Sequence, residues 1–137
     1  MSTILVVDDD PVFVAESEKL FSSAGYRVLQ ASDGLRAVRM LDDLHHKIDL
    51  AIIDLALPGI NGFELIGAVA RRPSGVKIIA TSAVYKDAHL ESATSLGAHA
   101  AIRKPAMTKH MPKREWLGTV RQRIGDPRPE SSRLAGN

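Results

Sequence analysis

Five side-chain positions in this chain carry the polar types that one chemistry needs. Asp8 and Asp9 close an apolar run near the start, Asp54 closes another, a hydroxyl at Thr81 or Ser82 closes a third, and Lys104 follows a fourth. Gathered in one crevice, the carboxylates of Asp8, Asp9 and Asp54 would repel one another and raise each other's pKa. A hard divalent cation relieves that repulsion, and an oxygen-only donor set with open water positions suits Mg²⁺. Lys104 adds a mobile positive charge, and the hydroxyl adds a donor. Such a crevice fits a phosphoryl group, whose transfer depends on positioning and on neutralising its equatorial oxygens. A carboxylate can itself be the nucleophile and become an acyl phosphate. Taken singly, each residue has a plainer reading: an Asp after a strand is usually a helix cap, as Asp10 is read here, and a lone Ser or Lys is usually solvated surface. Convergence at four strand ends is what argues for a site.

Elements must place these residues together. Thr3-Ile4-Leu5-Val6-Val7 is continuous and apolar, as a strand buried on both faces is. Pro11 suits the first turn of a helix capped by Asp10, in which Phe13, Ser17, Leu20, Phe21 and Ala24 share a face before Gly25 ends it. Tyr26 to Ala31 reads as a second strand. Ser32 or Asp33 opens a helix with Leu35, Val38, Leu41 and Leu44 on one side. Leu50 to Ile53 is a third strand ending at Asp54. Pro58, Gly59 and Gly62 lead into a helix over about 62–71, broken at Pro73-Ser74-Gly75. Val76 to Thr81 is a fourth strand, and a helix over about 87–96 ends at Gly97. Ala98 to Ile102 is a short fifth strand, and a last helix spans 113–124. Five strands alternating with five helices predict an α/β fold with a parallel sheet covered on both faces. Ligands of such sheets sit beyond the carboxyl ends of the strands, where the five positions fall.

Composition fits one soluble domain. The chain has 137 residues, 45% hydrophobic and 25% charged, enough for a core without a staple. It has no cysteine, which excludes disulfides, a thiolate nucleophile and zinc–thiolate sites. Apolar runs are too short for a signal peptide core or a membrane span, so a cytoplasmic location is expected. Residues 1–102 carry nine Lys/Arg and thirteen Asp/Glu, whereas 103–137 carry nine and three. The basic end lacks interleaved aromatics and a helix-turn-helix pattern, so direct nucleic-acid binding is not expected. Residues 125–137 read as a disordered tail or the start of a linker, the folded domain being 1–124. His45, His46, His89, His99 and His110 show no ligand spacing and read as surface residues.

On these motifs the sequence resembles the response-regulator receiver family of two-component signalling, over about residues 3–124. Val6-Val7-Asp8-Asp9-Asp10-Pro11 resembles the family's acidic pair after the first strand, and Asp54-Leu55-Ala56-Leu57-Pro58-Gly59-Ile60-Asn61-Gly62 its phospho-acceptor segment. Ala80-Thr81-Ser82-Ala83 is similar to the switch-hydroxyl segment, and Gly97-Ala98 with Lys104-Pro105 to the lysine segment. The resemblance, and nothing in the spacing of these residues, implies a flavodoxin-like fold of strand order 2-1-3-4-5, the order known for this fold class. It implies Asp54 as the phosphorylated nucleophile, Asp9 as a direct Mg²⁺ ligand, Asp8 as a ligand through water or an orienting group, and the Ala56 carbonyl as a further ligand. Lys104 would pair with phosphoryl oxygens, and the bond before Pro105 is a candidate for the cis form. Ser82 fits the switch hydroxyl better than Thr81, by the following Ala83 and the distance to Lys104. The implied donor is a sensor histidine kinase or phosphotransfer protein, and the output face is the fourth helix, fifth strand and fifth helix. The effector is unnamed, and the chain is expected to be a monomer or weak dimer.

Four positions depart from the family pattern. Ala101 replaces the usual Tyr or Phe three residues before the lysine, and Ala106 the usual Phe after the proline. Ala56 and Val84, two residues after the nucleophile and the hydroxyl, cannot orient a hydrolytic water, which predicts slow self-dephosphorylation. Two rivals remain: a receiver-fold interaction module not switched by phosphate, argued by Ala101, and a phosphatase of the haloacid-dehalogenase type with Asp8 as nucleophile. Pro11, the length and the lack of a late acidic pair weigh against the second.

Overall fold

Strand β1 (Thr3–Val7) is buried along its whole length, and so is β3 (Leu50–Asp54) beside it. In the computed structural model, which describes residues 2–43, 48–72, 75–83, 87–104 and 113–127, these two strands lie in the interior of a five-stranded parallel sheet. Its order is β2-β1-β3-β4-β5, with β2 at Arg27–Ala31, β4 at Lys77–Ser82 and β5 at Ala100–Arg103. Five helices connect and cover the strands: α1 (Pro11–Ser23), α2 (Gly34–Asp43), α3 (Gly62–Ala70), α4 (Asp87–Ser95) and α5 (Lys113–Ile124). The predicted α/β architecture and the implied strand order are both present.

Alternation along the strands divides the core into two layers. Leu5, Val7, Ala51, Ile53, Ile78 and Ala80 pack with residues of α2, α3 and α4. Ile4, Val6, Leu50, Ile52 and Ile79 pack with Phe13, Val14 and Phe21 of α1 and Trp116 and Val120 of α5. A central strand in this arrangement needs apolar side chains on both faces, which is why β1 and β3 read as unbroken apolar runs.

Local chemistry sets the helix ends. The Asp10 carboxylate accepts from the N–H groups of Val12 (3.0 Å) and Phe13 (3.4 Å), and Pro11 occupies the first turn. Asp33 plays the capping part at α2, accepting from the Arg36 N–H at 2.8 Å. Asn61 caps α3 through the Glu64 N–H at 2.9 Å, a start signal that the spacing of Pro58, Gly59 and Gly62 does not reveal. Gly97, at φ +123°, takes the left-handed turn that ends α4.

Several expectations shift. Tyr26 is outside β2 because its N–H donates to Phe21 O and so belongs to the end of α1. Ala98 is likewise outside β5, its N–H donating to Ala93 O of α4. β4 begins one residue later than expected and includes Ser82. On α2 the expected Leu41 is buried and Val38 packs against the core, but Leu35 does not share that face: it is 51% exposed, and Gly34 and Ala37 are buried with Leu41. The expected face of α1 holds, with Phe13, Ser17 and Phe21 buried and Leu20 and Ala24 packed against them. Leu44, His45, His46, Val84, Ala106, His110 and the Lys104–Pro105 bond lie outside the described residues, as does the expected tail beyond Pro127. The Tyr26 hydroxyl donates to Gly125 O at 2.6 Å and so ties the end of α5 to the start of β2. Among the described residues, no helix is long and apolar enough to cross a membrane.

His89 and His99 are exposed, as expected of surface histidines, but His99 also works structurally. Its Nδ1 accepts from the Ile78 N–H at 3.0 Å, while its backbone N–H donates to Ile78 O at 2.8 Å. Burial and the charges of Lys77 and Arg123 lower its pKa from the ordinary 6.5. A lowered histidine pKa means that the native state binds fewer protons than the unfolded chain, so this contribution is present above pH 6.5 and fades as pH falls. His99→Phe should cost about 1 kcal/mol or less in urea unfolding at about pH 8, and the difference from wild type should shrink toward pH 5.

Candidate functional site

At the carboxyl edge of the sheet, backbone bonds tie the end of β1 to β2, of β3 to β4 and of β4 to β5, and β1 pairs with β3. The Asp8 N–H donates to Ala31 O (3.1 Å), the Leu55 N–H to Thr81 O (2.9 Å), and the Lys104 N–H to Ser82 O (2.9 Å). Register pairs Asp54 with Thr81 and Ser82 with Arg103. The site is therefore built on hydrogen-bonded strand ends, and the sheet fixes the spacing of its residues.

Asp8, Asp9 and Asp54 each offer a carboxylate oxygen, and these oxygens lie within 4.8 Å of one another. Asp8 and Asp54 are buried and Asp9 is exposed, so the cluster opens to solvent on one side. Asp54 Oδ1 accepts from the Ala56 N–H at 3.0 Å. Gly62 makes this loop possible: a Cβ there would run into the Asp54 carbonyl and the Leu55 Cα. Its N–H also donates to Leu55 O at 3.2 Å. In the sequence Gly62 reads only as part of a turn, because its close approach comes from the tertiary path of the chain.

Lys104 enters from β5. Its Nζ lies 2.8 Å from Asp8 Oδ2, 3.5 Å from Asp54 Oδ2 and 3.9 Å from Asp10 Oδ2. It also lies 3.1 Å from Asp8 Oδ1, and of the two Asp8 contacts only this one has hydrogen-bond geometry. Asp8 Oδ1 is further held by the Asp10 N–H at 2.9 Å. Asp8 Oδ2 is thus a buried carboxylate oxygen beside a cation but with no hydrogen-bond donor among the described residues. A buried oxygen in that state, next to two further carboxylates, is what a hard cation would satisfy, and the all-oxygen donor set fits Mg²⁺. The Ala56 side chain is exposed in the loop just after Asp54.

Electrostatics follow burial. Desolvation pushes the Asp8 carboxyl up from 3.8 to about 6, against the pull of the hydrogen bonds from Lys104 and the Asp10 N–H. Burial opposes the Lys104 ammonium, but Asp8, Asp54 and Asp10 outweigh it and raise its pKa. The lysine charge is the firmer of the two: it faces three carboxylates, whereas Asp8 shares one cation with its neighbours.

Thr81 and Ser82 are both fully buried. Alternation sets Thr81 on the layer of Ile79 and Ser82 on that of Ala80. Thr81 Oγ1 has no hydrogen-bond partner among the described residues. Ala101 is partly buried against the layer formed by α2, α3 and α4. Phe13 reads in the sequence as a core residue alone, but its ring centre lies 4.7 Å from Lys104 Nζ.

Comparison with known proteins agrees with this fold. The family model for the response regulator receiver domain matches residues 4–114. The "Response regulator GtcR" of Aneurinibacillus migulanus is 33% identical over 103 residues, covering 75% of this chain and 41% of that protein. A "Cyclic di-GMP phosphodiesterase" of Thermotoga maritima is 30% identical over 105 residues, covering 75% of this chain and 27% of its own length. The chain thus spans less than half the length of these relatives. A crystal structure of a response regulator receiver domain protein from Methanospirillum hungatei superposes with a TM-score of 0.80 at 23% identity, covering 90% of this chain and 94% of that one.

Burial makes the Asp8 carboxyl hold its proton more tightly in the folded protein than in the unfolded chain. Below about pH 4 the carboxyl is protonated in both folded and unfolded states, and above about pH 6 the folded protein holds a buried charge that the unfolded chain keeps in water. With a chelator present, Asp8→Asn should therefore gain on the order of 2 kcal/mol over wild type between about pH 4 and pH 7 in urea unfolding. A difference that stays flat with pH would show that Lys104 fully compensates the Asp8 charge.

Proposed function

The chain belongs to the response regulator receiver domain family of two-component signalling, and from that premise we propose that it accepts a phosphoryl group on Asp54 from a phospho-histidine protein in a Mg²⁺-dependent reaction. The observation that carries this reading is the meeting of Asp54 with Asp8, Asp9 and Lys104: three carboxylates within 4.8 Å and an ammonium 3.5 Å from the nucleophile.

Asp54 Oδ1 is occupied by the Ala56 N–H, which leaves Oδ2, on the side of Lys104, as the attacking oxygen. Oδ2 forms a bond to phosphorus while the bond from phosphorus to the donor imidazole breaks, and the imidazole nitrogen takes up a proton. Lys104 follows the new charge, moving from Asp8 toward the phosphoryl oxygens. Asp9, Asp54, Asp8 and the Ala56 carbonyl would hold Mg²⁺, which when bound supplies positive charge against the acidic groups and the phosphoryl oxygens. Ser82, whose backbone carbonyl is bonded to Lys104, is the hydroxyl that turns toward the phosphoryl group. Its inward movement biases the face of α4, β5 and α5, where an effector docks. The donor is a sensor histidine kinase or a phosphotransfer protein. The domain acts in the cytoplasm as a monomer or weak dimer and catalyses only its own phosphorylation and slow dephosphorylation.

With acetyl phosphate and Mg²⁺, intact-mass measurement should find one phosphoryl adduct on the wild type. Asp54→Ala, or omission of Mg²⁺, should abolish it. No adduct on the wild type would favour an interaction module that phosphate does not switch. An adduct that survives in Asp54→Ala but is lost in Asp8→Ala would make Asp8 the nucleophile, as in the phosphatase alternative.

The methyl group of Ala56 offers an attacking water no hydrogen bond, so the acyl phosphate should be long-lived. Ala56→Asn should shorten its lifetime by about tenfold, less than a full general base contributes. An unchanged lifetime would remove Ala56 from the account.

A further inference from the structure

The Lys104 ammonium is held from two sides. On one side are Asp8, Asp54 and Asp10. On the other is the face of Phe13, with Nζ 4.7 Å from the ring centre. Phe13 is fully buried, and its N–H is bonded to the Asp10 carboxylate at 3.4 Å. The backbone that carries the ring is therefore tied to the acidic segment. Behind it lies Trp116 of α5, its ring centre 6.0 Å away at a 46° tilt. Phe21 holds the indole from another side at 5.5 Å, and the indole N–H donates to the buried Ser17 hydroxyl at 3.4 Å. Trp116 is the one tryptophan in the chain.

A lysine on a flexible four-carbon stem has many ways to sit among three carboxylates. A ring face offers its negative quadrupole to the cation and excludes water from the rear, and such contacts strengthen when desolvated. The Lys104 side chain is only 10% exposed, so the contact is of the stronger kind. Ala101 on β5 has no rotamer to switch, and it faces the layer opposite the one that holds Phe13, Phe21 and Trp116. The aromatic groups that touch the lysine side of the site thus lead to α5.

We propose that Phe13 is a positioning residue, whose ring face fixes the Lys104 ammonium between Asp8 and Asp54, and that Trp116 carries the displacement of this lysine to α5. The proposal rests on the reading of Asp54 as acceptor for its kinetic consequence, though the contact itself exists without phosphorylation. When charge arrives on Asp54, Lys104 moves off Asp8 toward the phosphoryl oxygens, and its contact with the ring shifts with it. Trp116, packed against that ring, changes its surroundings, and α5 changes with it.

The test uses the full chain with two replacements: Phe13→Leu, which keeps an apolar side chain, and ring-fluorinated phenylalanine at 13, which keeps the shape and weakens the quadrupole. Proton NMR of the unphosphorylated wild type should show the Lys104 ε-methylene shifted upfield by the ring, a shift lost in Phe13→Leu. Phosphorylation by acetyl phosphate should slow by about three- to tenfold in Phe13→Leu and progressively with fluorination, the range expected of a partly desolvated cation–π contact. Adding beryllofluoride with Mg²⁺ should change Trp116 emission in the wild type and not in Phe13→Leu. An unshifted Lys104 resonance in the wild type, or fluorinated proteins that react at the wild-type rate, would overturn the proposal. If the wild type takes up no phosphoryl group, the acceptor reading fails, and the kinetic role of Phe13 with it. The NMR shift would still decide whether the ring positions Lys104.

Discussion

Everything at the carboxyl edge of this sheet depends on one electrostatic constraint. Four aspartates, Asp8, Asp9, Asp10 and Asp54, converge there, and the charge that answers them comes from Lys104, 96 residues further along the chain than Asp8. Buried carboxylates without a counter-charge take up protons or destabilise the fold. Lys104 reduces that cost without removing it, and Asp8 stays hard to ionise. The incomplete balance leaves negative charge at this edge, which would favour a cation.

The two-sided sheet makes such a cluster tolerable. β1 and β3 are covered on both faces along their whole length, and the bonds between neighbouring strands set where each carboxylate begins. The loops then refine the geometry. Ala56 N–H fixes one oxygen of Asp54, Asp10 N–H fixes one oxygen of Asp8, and the missing side chain at Gly62 lets α3 start against the backbone of Asp54 and Leu55. Such loops carry function because a scaffold holds them still.

The chain shows how a common architecture can vary in the route that leads away from its site. With Ala101 on β5, the layer of α2, α3 and α4 lacks the aromatic that the family resemblance leads one to expect there. The opposite layer instead joins Phe13 and Phe21 of α1 to Trp116 of α5 under the lysine. Packed aromatic groups have few alternative arrangements, so a displacement at one edge of such a cluster is passed on rather than absorbed.

By itself the sequence determined the alternation of strands and helices, the two-sided burial of the central strands, and the residue types at four strand ends. These are local properties, set by hydrophobic period, capping residues and turn chemistry. It also marked Asp8, Asp9, Asp54 and Lys104, because three carboxylates and a lysine placed just past apolar runs match the needs of few chemistries. Tertiary structure decided what depends on approach between distant segments. Leu35 fits the helical period of α2 yet faces solvent, because Gly34, Ala37 and Leu41 turn the helix onto the sheet. Asp8 is pushed up by burial that no local pattern reveals. His99 caps a strand neighbour through a ring nitrogen, and Phe13 of α1 meets Lys104 just after β5. These contacts join residues 21 and 91 positions apart, and sequence period carries no information about which distant side chain a helix or strand will meet.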